Sequence, residues 1–429
     1  MAPDFRQAVD RVWDAIWSSG VTNPIVVTDL IGTLLMAAND DAQWSICLDA
    51  AQSGDSVGLA KALTRVRRDY GIDAGSEIES GEFWRSTISA QRAMELLDPL
   101  VEDQAGVDVL GDIYEHVLAR LATAGQFGQF RTPRHIIGFM VDIARPGAGE
   151  CVVDPAAGTG GFLVAAGTYR EERGQSGTIR GTEIDRTVAR IATANLRFHG
   201  ISDAQIDNAD GLLPVAPDAD VILANPPFAG SVSDEVASLY GVKTRKTELL
   251  FLEAMMNRLR PQGRAAVVVP TSVLTGGTAA ARAIREALVK SHDLEAVIEL
   301  PSGVFRPYTD VKTAILLWHR RMPDDKIRMI RIDRDGFSLD QRRVPVGGSD
   351  LPAAIDLLAG NTSASVANVT VSLGDLIGSG YNLNPSRYVA SATEGADRES
   401  HDSVQVLTDI DATLARIGGG IDAIKKELA

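Results

Sequence analysis

Residues 150–174 read ECVVDPAAGTGGFLVAAGTYREERG. A short β-branched run closes on Asp154, a turn containing Gly158, Gly160 and Gly161 follows, and the remainder carries helix-like apolar spacing. Strand, tight glycine turn and helix together form the opening unit of a parallel sheet, because parallel neighbours need a crossover to carry the chain back. The same texture repeats downstream. TIRGTEI, ADVILAN, RAAVVVP and LEAVIEL are short apolar runs, with TVARIATANLRFHG, TELLFLEAMMNRLR and AARAIREALVKS between them. Apolar strands alternating with helices predict an α/β domain with a doubly wound, mostly parallel sheet covered on both faces. LEAVIELP and TAILLWHR are joined by the loop SGVFRPYTDVK rather than a full helix, which predicts an antiparallel final pair at one side of the sheet.

Outward from this core the pattern changes on both sides. Up to about residue 124 the segments VDRVWDAIW, TDLIGTLLMAAND, LAKALTRVRRDYG and VLGDIYEHVLARLAT repeat apolar residues at three- and four-residue spacing, which predicts an all-helical N-terminal domain, 1–124. The catalytic core is expected over 125–322 and a C-terminal extension of it, largely irregular, over 323–400. In 401–429, Leu407, Ile410, Leu414, Ile417, Ile421, Ile424 and Leu428 alternate spacings of three and four, the seam of a helix that seeks a partner helix. Gly418, Gly419 and Gly420 interrupt it at a cost of about 1 kcal/mol each. Such a helix either folds back on its own domain or docks another subunit.

Composition excludes several classes. The chain has 429 residues with 45% hydrophobic and 23% charged content, enough for two or three cores, and no run approaches the roughly 20 apolar residues of a membrane span. The N-terminus lacks the basic start and apolar segment of a secretory signal, so a cytoplasmic protein is expected. Cys47 and Cys151 stand far apart without ligand-spaced partners, so neither a disulfide framework nor a metal site is expected. The net charge of −15 argues against a surface that grips nucleic acid everywhere, though local contact through clusters such as Lys243, Arg245 and Lys246, or Arg131 and Arg134, stays open.

In open α/β sheets ligands bind beyond the carboxyl ends of the strands, where strand order reverses. The first strand ends at Asp154 and its glycine turn. The second ends in GTEID, which puts Glu183 where a carboxylate can accept hydrogen bonds from both hydroxyls of a ribose. The third region ends in NAD, which brings Asp210 within reach of an adenine ring. The fourth ends in NPPF, Asn225 to Phe228. Each residue alone could be a cap or a turn. The turn lacks the full G-x-G-x-x-G spacing and there is no G-x-x-x-x-G-K-[ST], so neither a dinucleotide nor a nucleoside triphosphate is favoured.

GQFRTPRHII (128–137), DPAAGTGGFL (154–163), GTEID (181–185) and NPPF (225–228), in this order, resemble the S-adenosylmethionine-dependent DNA adenine methyltransferases. They are most similar to the modification subunit of type I restriction-modification systems, and the similarity covers roughly residues 105–390. It departs at Arg131, where the family often has an aromatic residue, and at Ala157 and Thr159, which replace the more usual Cys and Ser. The resemblance implies a class I methyltransferase fold that binds S-adenosyl-L-methionine through Gln129, Phe130, Arg131, Thr132 and Pro133, through Asp154, Pro155, Ala156, Gly158, Thr159, Gly160, Gly161 and Phe162, and through Glu183, Ile184, Asp210, Gly211 and Asn225. Thr132 and Pro133 would close over the methionine part. Asn225, Pro226, Pro227 and Phe228 would be catalytic. The Asn225 side-chain carbonyl and the Pro226 backbone carbonyl would hold the hydrogens of the adenine amino group, and Phe228 would stack on a base flipped out of double-stranded DNA. No repeated module suited to reading bases follows the core. A separate DNA specificity subunit is therefore expected; the resemblance implies two modification subunits to each, and a restriction nuclease subunit is compatible with it. Two other readings are a methyltransferase acting on RNA or on protein amides, and a non-catalytic assembly subunit that keeps the fold.

Overall fold

The structure, a computed structural model, describes residues 5–72, 87–102, 107–123, 132–213, 218–361 and 365–389. The described N-terminal residues are helical, as expected: α1 (Phe5–Ser18), α2 (Pro24–Ala38), α3 (Asp41–Gln52), α4 (Ser56–Asp69), α5 (Thr87–Glu102) and α6 (Val107–Thr123). Starts are set by side-chain caps. Asn23 accepts from Ile25 N ahead of Pro24, and Asp40 accepts from Ala42 N and Gln43 N. Helix α2 is apolar nearly all round and therefore central, with Leu30, Ile31, Leu34 and Leu35 buried among Val12, Leu63, Leu97 and Tyr114.

The second part alternates: α7 (Arg134–Ala144), β1 (Val152–Asp154), α8 (Gly161–Glu171), β2 (Ile179–Glu183), α9 (Arg186–Phe198), β3 (Gln205–Asn208), β4 (Ala219–Ala224), α10 (Asp234–Ser238), α11 (Thr247–Arg258) and β5 (Leu259–Pro270). Then come α12 (Thr271–Thr275), α13 (Ala279–Lys290), β6 (Asp293–Glu299), β7 (Thr313–His319), β8 (Lys326–Arg331), β9 (Asp335–Phe337), β10 (Pro345–Ser349), α14 (Leu351–Leu358), β11 (Ala367–Ser372) and α15 (Leu373–Gly378). The main sheet runs β11-β8-β6-β7-β5-β4-β1-β2-β3, with β5, β4, β1, β2 and β3 mutually parallel and β7 antiparallel to both of its neighbours. Along β5 the side chains alternate between two apolar layers: Val267 and Val269 join α11 and α13, while Ala266 and Val268 join α7 and α8. The sheet is thus covered on both faces.

Two expectations need correction. The antiparallel β6 and β7 pair lies inside the sheet rather than at its side, because β8 pairs parallel to β6 and β11 pairs antiparallel to β8. The described residues beyond 322 are accordingly not largely irregular. Their strands KIRMIR and ANVTVS are short, with polar residues between the apolar ones, so they read as loop; what makes them strands is the hydrogen-bonding edge each completes, that of β6 for KIRMIR and that of β8 for ANVTVS. The apolar seam expected over 401–429 lies outside the described residues.

Helix α9 joins the two parts. Val188, Ile191, Ala194 and Phe198 complete the N-terminal helical core, while Leu196 belongs to the sheet's apolar layer. At this junction the buried Asp29 carboxylate of α2 accepts from Arg67 of α4 at 2.8 Å and from Arg190 of α9 at 2.9 Å. Among the described residues no helix is long and apolar enough to cross a membrane.

Candidate active site at the switch point of the sheet

Strand order reverses between β1 and β4. Val153 sits beside Ile222 in register, so the chain leaving β1 at Asp154 and the chain leaving β4 at Ala224 emerge side by side. Between them opens a cavity of about 510 Å³. Pro155, Ala156 and Gly158 line it from the glycine turn, Glu183 and Ile184 from the end of β2, Asp210 and Gly211 from the segment after β3, and Asn225, Pro226, Pro227 and Phe228 from the end of β4. Four successive strand ends therefore meet in one space.

Each group is held by a definite contact. The Glu183 carboxylate is buried and accepts from Gly158 N and Asp185 N, both at 2.9 Å, tying the glycine turn to the end of β2. A carboxylate offers about four lone-pair directions, so two remain for hydroxyl groups. Burial pushes its carboxyl up from the ordinary value despite those bonds. Asp154 lies beneath the turn rather than on the cavity wall. Its burial, added to by Glu183 and only partly offset by the Ala156 N–H, pushes its carboxyl up to about 7. Ile184 is an apolar side chain left 70% exposed at the rim, where a flat ring can cover it. Gly211 is required by close approach: a Cβ there would lie 1.9 Å from the Pro155 carbonyl oxygen. Arg258 donates to the Gly211 carbonyl at 2.6 Å and also to Leu213 O, fixing the segment that carries Asp210.

The Asn225 amide is oriented from outside the cavity. Its Nδ2 donates to Thr132 Oγ1 at 2.9 Å, and its Oδ1 is buried with no hydrogen-bond partner. An orphaned buried acceptor costs about 1–3 kcal/mol and calls for a donor. The loop after it is clamped from α11: Thr247 Oγ1 donates to Pro227 O at 3.1 Å, and Thr247 N donates to Gly230 O. The basic cluster after NPPF serves the same clamp. Arg245 donates to Val232 O at 2.8 Å, and Ser231 bridges Lys246.

Other expected residues lie elsewhere. Thr159, Gly160, Gly161 and Phe162 do not line the cavity; Gly160, in a left-handed conformation, starts α8, Thr159 O accepts from Asn195, and Phe162 is buried in the sheet's apolar layer. Thr132 and Pro133 face a second cavity, and Gln129, Phe130 and Arg131 lie outside the described residues. Sequence reasoning passed over Thr182, Ser231, Val236, Thr247 and Phe251, which line the cavity; only the placement of Thr247 at the start of a helix close after NPPF hinted at its part. Cys47 and Cys151 are buried free thiols, and no acid, His or Cys cluster among the described residues could hold a metal.

The N-6 DNA methylase family matches residues 105–397. The methylase subunit of the type I restriction enzyme EcoEI from Escherichia coli is 31% identical over 334 residues, covering 72% of this chain and 67% of that protein. The StySPI methylase subunit from Salmonella potsdam is 30% identical over 236 residues, covering 49% of this chain and 44% of that protein. The chain thus spans about two thirds of one relative and less than half of the other. In fold it is similar to the type I methyltransferase subunit from Streptococcus thermophilus, with a TM-score of 0.73 at 20% identity over 90% of this chain and 99% of that one. A family match over more than half the chain, together with four strand ends that converge on one cavity, leads to a single conclusion: this chain belongs to the N-6 DNA methylase family.

Proposed function

We propose that the protein transfers a methyl group from S-adenosyl-L-methionine to the exocyclic N6 of an adenine flipped out of double-stranded DNA. The observation that carries this reading is that Asn225, whose Oδ1 is buried without a hydrogen-bond partner, lines the same cavity as Glu183 and Asp210. The cavity fits the cofactor, since it combines the Glu183 carboxylate with lone pairs free for ribose hydroxyls, an apolar rim at Ile184 and open space above Gly158, where no side chain intrudes. When bound, S-adenosylmethionine supplies an electrophilic methyl group on a sulfonium. Asn225 Oδ1 and the Pro226 carbonyl accept the two amino hydrogens of the base, which localises the nitrogen lone pair toward the methyl group. Phe228 stacks on the extruded base and recovers part of the few kcal/mol that extrusion costs. The prolines hold both acceptors in direction.

On this reading the protein is the modification subunit of a type I-like complex, with the core over 125–322 and its extension over 323–400. Two copies assemble with one DNA specificity subunit, a restriction nuclease subunit completes the restriction enzyme, and residues 401–429 form the docking helix. The expected setting is the cytoplasm. Asn225→Ala and Phe228→Ala each abolish methyl transfer in the assembled complex, measured with labelled cofactor, and leave cofactor affinity intact. Full activity in either variant refutes the assignment. Removing residues 403–429 impairs assembly with the specificity subunit more than cofactor binding, as read by co-purification and calorimetry.

A further inference from the structure

We propose that a second cavity, on the far side of Thr132 from the first, binds the phosphodiester backbone of the DNA strand that carries the target adenine. This rests on the reading of DNA as substrate. The cavity measures about 860 Å³, and its walls come from α1 and α6, from the start of α7, from the loop between β6 and β7, and from the β9–β10 hairpin. Five arginines line it, Arg6, Arg134, Arg306, Arg342 and Arg343, against the carboxylates of Asp112 and Glu115. In a chain of net charge −15 the lining itself carries more cations than carboxylates, with Asp310, Asp335 and Asp340 set beside three of the arginines from behind, and a polyanion is drawn to such a cationic face.

The frame around the arginines is built. Asp335 is fully buried, accepts from His135 Nε2 at 2.9 Å, and also accepts from Arg343. His135 stacks on Phe337 with ring centroids 4.4 Å apart. The hairpin is thereby fastened to the first turn of α7. Arg306 donates to Leu339 O at 2.5 Å and holds the hairpin from the other side. Arg134 pairs with Glu115 and Arg306 with Asp310, but the exposed Arg342 side chain has no ion pair among the described residues.

A second feature points the same way. Helix α7 opens with Arg134 and His135, has no acidic residue in its first turn, and its N-cap position, Pro133, makes no side-chain cap. Helix N-termini carry partial positive charge and ordinarily attract acidic side chains; here the Glu115 and Asp335 carboxylates answer Arg134 and His135, and the uncapped backbone N–H groups of the first turn stay available to an anion. Thr132, one residue upstream of that cap, lines this cavity while accepting from Asn225 at 2.9 Å. The arginine cluster therefore adjoins the amide assigned to the flipped base. A flipped nucleotide remains covalently tied to its own phosphates, which must pass near the mouth of its pocket, and phosphate contacts of this kind fix register without reading sequence.

The test uses the full-length protein in the complex with which it co-purifies. Binding of a fluorescently labelled duplex is followed by anisotropy across a potassium chloride series, for wild type, Arg342→Ala, Arg342→Glu, and Arg173→Glu as a surface control that lines neither cavity. Both Arg342 variants are expected to weaken binding, with Arg342→Glu about tenfold weaker, and to lower the slope of log K against log salt by about 0.9 per lost phosphate contact. Cofactor affinity is expected to stay within about twofold, since the two sites are separate. The control should match wild type. Wild-type affinity and salt slope in both Arg342 variants would overturn the strand site. Methyl transfer by the wild type to adenine is assayed in the same preparations, so failure of the functional reading shows there and failure of the strand site shows in the slope.

Discussion

Asn225 works only if its carbonyl faces the base, and Thr132 is the residue that decides this. Thr132→Val removes the acceptor for Nδ2 while keeping the shape of the side chain. The amide then rotates freely, and kcat is expected to fall about tenfold or more with little change in cofactor KM, because misplacement of a reacting group costs rate rather than affinity. Thr132→Ser should restore most of it. Single-turnover methylation by the two variants separates positioning from a structural role. Asp154 provides a second test at this scale. Its carboxyl is raised from an ordinary 3.8 to about 7 by burial. Its neutral form is therefore favoured in the folded state. The stability it contributes is complete below about pH 4 and is lost as pH rises through about 7. Asp154→Asn should flatten the decline of the melting temperature across that window, as read by calorimetry. Asn225 and Glu183 were legible in sequence because each closes a strand-like run rich in β-branched residues, and Asp210 because it stands in the NAD segment that follows the next strand region. The Thr132 contact was not, since it joins residues 93 positions apart and the Thr-Pro before a helix also reads as a routine helix start.

The loop after β3 and the helix α9 show how elements position the site. Gly211→Ala would drive a Cβ into the Pro155 carbonyl and push the Asp210 segment out of the cavity. Cofactor affinity, measured by calorimetry, should drop at least about tenfold, while the melting temperature of the cofactor-free protein changes less, since loop displacement is cheaper than core damage. Helix α9 carries a buried charge cluster instead of a purely apolar face. Asp29→Ala would leave Arg67 and Arg190 buried without their shared carboxylate, and a loss of about 3–5 kcal/mol in denaturant unfolding is expected. The alternation of strands and helices through β6 was legible because those strands, apart from the exposed edge strand β3, are largely buried and therefore apolar. β8 and β11 were not: a short strand with interleaved charges, such as KIRMIR, is defined by the partner edge it completes, and that edge belongs to a strand about 30 residues earlier.

Across the whole molecule, negative net charge and a localised arginine cluster divide the surface by task. The acidic exterior limits non-specific contact with nucleic acid, and the strand site between helical part, core and hairpin gathers positive charge beside Thr132. The helical N-terminal part was legible from its periodicity, but its contribution of Arg6 and α6 to a cavity next to the site was not, because charge clustering across distant segments leaves no local pattern. All of this depends on Asn225 acting within a cavity shared by cofactor and base. The most direct measurement maps N6-methyladenine in DNA from cells carrying either the wild-type chain or Asn225→Ala, with cofactor binding by each purified protein checked alongside. Site-specific N6-methyladenine that disappears in the variant, while its cofactor affinity persists, is the predicted result; the same methylated sites in both cells would contradict it.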